Sequence, residues 1–327
     1  MQLSVVVPTL NGREHLVRCL DSLAEHAPEA EVVVVNGPSV DGTTGTVRAR
    51  DDVDVLVEID ERNIDVARNA GIDRSTGDAV AFLDYSVTVQ PGWYEALVGA
   101  LAGPASAHRA SGHGPDVPAV VTGPTRRALP GGGVASEAVE RRRLGGRRVT
   151  YFNGGNVAFT REALDAIDGF DEFLATGGGR DAAHRLAALD RAVSWVPGMA
   201  VRYDGQGEPE GIREPSLYAD GGELTRDWSW RYRSLTYRLV KNYGVRSCWR
   251  VGRHAVDDAA DALREVVRGE SRPSSWFGNG RDVLSGAATG LRAGVVARVR
   301  DRSPKRNPHG LSTRSDRAVA VYDRRDA

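Results

Sequence analysis

The sequence predicts an α/β protein in which an open, mostly parallel sheet carries helices on its faces. Three observations lead there. Short, almost wholly apolar runs at residues 3–7, 32–35 and 79–83 lack the alternation of a half-solvated strand and read as strands buried on both faces. Helix-period segments separate them, and strand–helix alternation is the pattern of a parallel sheet. Thr9, Asn36 and Asp84 stand just past three of the runs. Ligands of open parallel sheets sit beyond those carboxyl ends.

Leu-Ser-Val-Val-Val at 3–7 ends at Pro8, and Leu16, Leu20 and Leu23 then recur at helical spacing until Pro28 closes that helix. The second strand leads into the turn-rich Asn36-Gly37-Pro38-Ser39-Val40-Asp41-Gly42. A third strand is predicted near 53–59, a helix near 64–75, and a fourth strand at 79–83. Past Pro91 a helix holds Trp93, Leu97 and Leu101, and a Gly/Pro/His-rich loop occupies about 103–118. The run Arg141-Arg142-Arg143 with Arg147-Arg148 reads as another loop. Asn153-Gly154-Gly155-Asn156 reads as a turn entering a strand, and Thr160 suits a helix N-cap. A further helix is expected from Asp181 to about Leu189, after the triple glycine 177–179.

The chain has 327 residues and a formal net charge of −1, but that figure averages two unlike parts. Residues 1–210 hold 20 arginines against 30 carboxylates; residues 211–327 hold 23 basic residues against 14. The sequence therefore divides into an acidic domain at 1–210 and a basic, mostly helical extension at 211–327. Cys19 and Cys248 alone cannot build a disulfide framework or a zinc site. With no charged-then-apolar leader and no apolar run of membrane-spanning length, the expected location is the cytoplasm.

The ordered set Val5-Val6-Val7-Pro8-Thr9-Leu10-Asn11-Gly12, Asn36-Gly37-Pro38-Ser39-Val40-Asp41-Gly42, Ala67-Arg68-Asn69-Ala70-Gly71, Phe82-Leu83-Asp84, Pro91-Gly92-Trp93 and Asn153-Gly154-Gly155-Asn156 resembles family 2 glycosyltransferases of the GT-A fold over roughly 1–205. The resemblance implies transfer of a sugar from a nucleotide-diphosphate donor to an acceptor hydroxyl, with inversion. It implies Thr9, Asn36, Arg68 and Asp84 on the donor side, with Asp84 opening the D-x-D motif, and Asn153, Gly154, Gly155, Asn156, Arg180 and His184 lining the sugar or acceptor. Asp181 would be the catalytic base, since inversion needs a carboxylate to take the acceptor proton. Structural readings stand beside these. Arg68 also suits a surface salt bridge, Asp84 a turn cap and Asp181 a helix cap. Arg180 and His184 equally suit a plain structural role.

Two positions depart from the family pattern. The D-x-D motif reads Asp84-Tyr85-Ser86, and no histidine stands near Val201-Arg202-Tyr203-Asp204, where many relatives bind metal. A Mg²⁺ or Mn²⁺ ion would then rest on Asp84, Asp204 and the donor diphosphate. The alternative is neutralisation by basic residues alone.

Four of the six tryptophans lie after residue 210 (Trp228, Trp230, Trp249, Trp276). Leu284, Ala288, Leu291, Val295 and Val299 form an apolar stripe at helical spacing, accompanied by Arg281, Arg292, Arg298, Arg300 and Arg302. The expectation is a peripheral contact with an anionic membrane surface on its cytoplasmic side; the alternative is a helix packed on the catalytic domain with solvated arginines. No nucleic-acid-binding module accompanies the basic residues, so nucleic acid is not expected as a partner. The whole pattern resembles archaeal transferases that assemble dolichol-phosphate-linked glycans for surface-protein N-glycosylation, implying a hexose or hexuronic acid donor and a lipid-linked acceptor. Two alternatives are polysaccharide synthesis by the same chemistry and a degenerate, non-catalytic nucleotide-sugar-binding or scaffold protein.

Overall fold

A strand buried on both faces can satisfy its backbone only through neighbouring strands, and the apolar runs of this chain pair accordingly. The computed structural model describes residues 1–103, 118–129, 133–203, 228–267 and 273–325. β1 (Leu3–Thr9), α1 (Arg13–His26), β2 (Glu31–Asn36), α2 (Thr43–Arg48), β3 (Val55–Glu58), α3 (Ile64–Arg74) and β4 (Ala79–Leu83) alternate as expected. β1 pairs in parallel with both β2 and β4, and β2 with β3. Strand order therefore reverses at β1, and the carboxyl ends of β1 and β4 flank the kind of switch point beside which ligands of open sheets bind in a crevice. Thr9 and Asp84 leave the sheet there.

β5 (Val87–Val89), α4 (Trp93–Ala102), β6 (Val120–Thr122), β7 (Thr125–Ala128), β8 (Val134–Ser136), β9 (Arg141–Leu144), β10 (Arg147–Thr150), β11 (Asn156–Thr160), α5 (Arg161–Ile167), α6 (Gly178–Ala188), β12 (Val193–Trp195) and β13 (Val201–Tyr203) follow. β11 runs antiparallel to β4 and β6 and carries the sheet past the crevice. β5, β13, β7 and β8 form a separate small sheet. The arginine run expected in a loop is instead the β9–β10 hairpin. Thr160 does cap α5, its Oγ1 accepting from Ala163 N at 3.2 Å.

On one face of the sheet Leu16, Cys19, Leu20 and Leu23 of α1 are buried in a cluster with Leu3, Val5, Val7, Val32 and Val34. Each such aliphatic side chain contributes about 1.5–3 kcal/mol by leaving water. Phe82, Phe152, Phe159 and Phe170 form an edge-to-face aromatic cluster, with centroids 5.1–5.9 Å apart. It underlies the site.

The chain divides into two compact units, Met1–Glu172, Gly178–Tyr218 and His309–Ala327 in one, Phe173–Gly177 and Ala219–Pro308 in the other. This corrects the boundary drawn from charge, because the end of the chain returns to the first unit. β14 (Ala320–Asp323) pairs antiparallel with β3 and completes an eight-stranded sheet. Arg317, 2% exposed, donates to Asp73 Oδ2 at 2.9 Å and to Glu172 Oε1 at 2.5 Å. Bulk charge reports solubility and partners rather than packing, so it could not reveal this return.

In the second unit α7 (Trp228–Tyr243) and α8 (Cys248–Val267) accompany α9 (Pro273–Arg300). Gly286, Gly290 and Gly294 of α9 lie on the α7 backbone: a Cβ at any of them would fall on the carbonyl oxygens of Ser229, Arg233 and Tyr237. Small residues every fourth position let the two helices approach closely. The apolar stripe of α9 consequently faces outward, with Leu284 73% and Val299 57% exposed.

Replacing Arg317 with Ala is expected to lower unfolding stability by about 3 kcal/mol, because two carboxylates lose a buried partner. The same change at the more exposed Arg314 should cost less than about 1 kcal/mol. Urea denaturation of both variants checks the difference.

Candidate functional site

The crevice is built by two turns that lock each other. Asn11, between β1 and α1, holds φ +50°, a conformation asparagine tolerates, and its Oδ1 accepts from Val40 N at 2.8 Å. Asn11 N donates to Ser39 Oγ and Arg13 N to Asp41 Oδ2, both at 2.9 Å. Asn36 is buried and its amide is engaged at both ends, accepting from Ser39 Oγ at 2.7 Å and donating to Thr44 Oγ1 at 3.0 Å. It shapes this rim through the turn rather than by offering a free group. Gly37 N donates to the Thr9 carbonyl at 2.9 Å. The Thr9 hydroxyl is buried and, among the described residues, has no hydrogen-bond partner. Buried polar atoms are nearly always paired, so an unpaired one at a crevice marks a place for a ligand.

Arg68 projects from α3 and is 2% exposed. The surface salt bridge weighed from sequence is therefore a buried one. Nη1 donates to Asp65 Oδ1 at 2.9 Å, Nη2 to the Gly154 carbonyl at 3.1 Å, and the guanidinium stands 5.0 Å from the Phe170 ring centroid. Its Nε has no partner among the described residues. Glycine at 154 lets the loop approach this guanidinium, since a Cβ would fall on Nη2. Gly155 is equally constrained: its Cβ would come within 2.8 Å of that of Asp84. The Gly155 carbonyl accepts from Asp84 N at 3.0 Å.

Asp84 is half-buried. Its Oδ1 accepts from Ser86 N at 2.8 Å and Ser86 Oγ at 2.7 Å, while Oδ2 accepts no hydrogen bond among the described residues. Ser86 thus orients Asp84 instead of replacing the second carboxylate. Burial pushes the Asp84 carboxyl above the usual range, although the Ser86 bonds and the Arg68 charge pull the other way. Tyr85 turns its ring onto Gly12, where any Cβ would collide with it, and burial pushes its hydroxyl up to about 12.

Arg68, Asp84, Gly154 and Gly155 therefore meet, with Thr9 beside them at the end of β1. A second group gathers around Tyr151. His184 meets that ring edge-to-face at 5.5 Å between centroids, and the Arg180 guanidinium lies 4.5 Å from its centroid while pairing with Glu140 at 2.8 Å. Asn153 joins the two groups' common loop, its Oδ1 accepting from Gly155 N at 2.9 Å and its Nδ2 donating to Thr125 Oγ1 at 3.1 Å. Asn156 points elsewhere. Its amide accepts from Trp93 Nε1 at 3.1 Å and donates to the Met199 carbonyl at 2.9 Å, which is structural work.

Asp181, in the first turn of α6, is fully buried and paired with Arg185 at 2.8 Å. Arg185 also donates to the Ile167 and Gly169 carbonyls. Asp65 is the residue sequence reasoning missed. It sits fully buried between Arg68 and the start of α6, where a Cβ on Gly178 would strike its carboxylate. The acid–Arg spacing of three at Asp65 and Arg68 was the available signal. Asn69 likewise holds the Phe170 loop, its Oδ1 accepting from Phe170 N at 2.9 Å.

A divalent cation at the crevice would find one oriented carboxylate with a free oxygen, Asp84. That suits an ion completed by donor phosphates and water. No group of three His, Cys, Asp or Glu gathers among the described residues, and Asp204 lies outside them.

The Glycosyl transferase family 2 profile matches residues 4–167, half of the chain, and the chain belongs to that family. Glycosyltransferase AglE of Haloferax volcanii is 33% identical over 141 residues, covering 41% of this chain and 42% of that protein. The pre-mycofactocin glycosyltransferase of Mycobacterium tuberculosis is 29% identical over 210 residues, covering 62% and 42%. The chain thus spans about two-fifths of the length of these relatives. Two solved structures share the fold. They are the mannosyltransferase PcManGT of Pyrobaculum calidifontis with GDP-Man and Mn²⁺ (TM-score 0.51, 18% identity, 92% of this chain and 88% of that one) and S. aureus TarS 1-349 with UDP-GlcNAc (TM-score 0.50, 19%, 76% and 69%). The chain is a family 2 glycosyltransferase with a GT-A-like fold.

Asp84→Asn keeps the acceptor oxygen that Ser86 uses and removes a charge that burial disfavours. A carboxyl whose pKa is raised by folding loses stability as pH rises through that pKa. The variant's melting temperature at neutral pH should therefore equal or exceed the parent's, while transfer falls at least about a hundred-fold. Calorimetry and a donor-turnover assay check the pair.

Proposed function

We propose that the protein transfers a hexose or hexuronic acid from a nucleotide-diphosphate sugar to a lipid-linked saccharide, of the dolichol-phosphate type used in cell-surface N-glycosylation. The observation that carries the donor half is the crevice itself. Among the described residues, a buried guanidinium with an unpaired Nε and an oriented carboxylate with a free oxygen share it with the unpaired Thr9 hydroxyl. A pyrophosphate with its nucleoside satisfies all three. Where Mg²⁺ or Mn²⁺ binds, Asp84 holds it and the ion supplies charge neutralisation for the departing diphosphate. The nucleotide sugars bound to PcManGT and TarS support this donor class.

The acceptor half is supported by the similarity to the Haloferax volcanii transferase and by the outward face of α9. There Leu284, Leu291, Val295 and Val299 are exposed together with Arg281, Arg292 and Arg300. Apolar side chains flanked by arginines fit the boundary of an anionic bilayer, at which a lipid-linked acceptor is presented. No helix of the described residues is long and apolar enough to cross a membrane, so this reading is one of peripheral contact. A second reading, polysaccharide synthesis, is supported by 40% identity over 89 residues to succinoglycan biosynthesis protein ExoO of Rhizobium meliloti.

In the proposed reaction Asp181, paired with Arg185 at 2.8 Å, takes the acceptor proton, and Arg180 with His184 lines the acceptor. An ion-paired carboxylate is a weak base, so this role needs a test that separates it from plain structure. Asp181→Asn alone strands buried Arg185, whereas Asp181→Asn combined with Arg185→Met removes the pair. If Asp181 is the base, the double variant is more stable than Asp181→Asn alone, although the Ile167 and Gly169 carbonyls lose a donor, and turnover stays at least about a hundred-fold down. Recovery of both would assign Asp181 to packing.

Donor specificity is read by thermal shift against UDP-, GDP- and dTDP-sugars, since a ligand that binds only the folded state raises apparent stability. One nucleotide class is expected to raise the melting temperature and to support transfer. Loss of transfer in EDTA with recovery in Mn²⁺ would show a cation requirement, and a higher Mn²⁺ concentration needed by Asp84→Asn would assign the ion to Asp84. No shift and no turnover with any donor would leave the scaffold reading.

A further inference from the structure

The β9–β10 hairpin has a charge arrangement that the donor site does not require. Its register pairs Arg143 with Arg148, Arg141 with Thr150, Arg142 with Val149 and Arg147 with Leu144. Paired residues of a ribbon share a face. Leu144 and Val149 are buried, at 6% and 0%, so their face packs against the domain. Arg141, Arg143 and Arg148 therefore crowd the opposite, exposed face. None of the three has a carboxylate within ion-pair distance among the described residues, whereas their neighbour Arg142 pairs with Glu140 at 2.7 Å.

Like charges placed directly across a strand pair destabilise it. The hairpin nevertheless holds Arg143 against Arg148 by a tight turn, with Gly145 and Gly146 at φ +55° and +82°. Two successive positive φ values are the two-residue turn that matches strand twist. The base of the ribbon is anchored on the Tyr151 group, since Tyr151 N donates to the Glu140 carbonyl at 2.9 Å and Arg180 pairs with the Glu140 carboxylate. The ribbon thus carries three guanidiniums without an ion pair among the described residues, beside the group read above as acceptor-lining.

We propose that this face of the ribbon rests on the phosphates of anionic lipid head groups, seating the acceptor side of the site at the membrane. The inference rests on the membrane reading of the proposed function and adds a second, separate contact to it. Guanidiniums match phosphate oxygens bidentately, and lipid phosphates are the one phosphate source that comes as a layer wide enough for three. The exposed face of the ribbon carries no aromatic side chain on which bases would stack, which disfavours single-stranded nucleic acid.

The test is flotation of the full chain with phosphatidylcholine vesicles, with and without phosphatidylglycerol, comparing the parent with Arg141→Gln/Arg143→Gln/Arg148→Gln. The parent should float with the anionic vesicles, and the triple variant should bind them on the order of a hundred-fold more weakly, about five-fold per arginine. Its melting temperature should match or exceed the parent's, because a like-charge pair is gone, and its donor hydrolysis should be unchanged. Equal flotation of parent and variant overturns the ribbon inference alone. A parent that floats with neither vesicle overturns the membrane reading and the inference together. Displacement of the parent from anionic vesicles by an equimolar soluble polyphosphate overturns the lipid assignment.

Discussion

A permanently charged guanidinium in the interior is the constraint around which the catalytic unit is arranged. Burying such a charge costs several kcal/mol unless it is paired and hydrogen-bonded. Arg68 meets that cost with Asp65 on its own helix, the Gly154 carbonyl from the β10–β11 loop and the face of Phe170. Each partner fixes another element. Gly154 brings Gly155 against Asp84, Phe170 ties the aromatic cluster to the loop that Asn69 holds, and Asp65 meets the start of α6. Among the described residues, the Arg68 Nε and the Thr9 hydroxyl are buried without a hydrogen-bond partner, Thr9 at the end of β1.

This arrangement also bears on the altered D-x-D motif. In Asp84-Tyr85-Ser86 the outer two positions collaborate, with Ser86 fixing one oxygen of Asp84 and leaving the other to a ligand. Tyr85, the middle position of the motif, fills space over Gly12. In the proposed function the buried arginine meets the diphosphate directly, and the single carboxylate does so only through a cation. A site of that kind depends more on preorganised positive charge than a site with two carboxylates does.

Much of the donor side was legible in the sequence, because buried parallel strands leave unbroken apolar runs and their ends locate the crevice. That reasoning and the family resemblance singled out Thr9, Arg68 and Asp84 for the donor side and Gly154 and Gly155 for the sugar or acceptor, and the fold brings Arg68, Asp84, Gly154 and Gly155 together. The short strands β6, β12 and β13, of three residues each, are below the length at which periodicity speaks. The β9–β10 hairpin read as a loop because arginine hides its alternation, its buried face being marked only by Leu144 and Val149. The stripe on α9 was visible, but not its direction. Three glycines, apolar in no obvious sense, took the packed face and turned the leucines and valines outward. Asp65 escaped notice since a first-turn acid on a helix is ordinarily a solvated one.

The central claim is that the Arg68 crevice binds the nucleoside diphosphate of the donor. Because removing Arg68 alone would strand Asp65, the informative variant is Arg68→Met with Asp65→Asn, which removes the pair together. Isothermal titration of the parent and this variant with the free nucleoside diphosphates UDP and GDP measures the claim directly. One of the two should bind the parent at one equivalent and the folded variant at least about thirty-fold more weakly, the loss of a charge-assisted contact worth ~2 kcal/mol. A folded variant with the parent's affinity would contradict it.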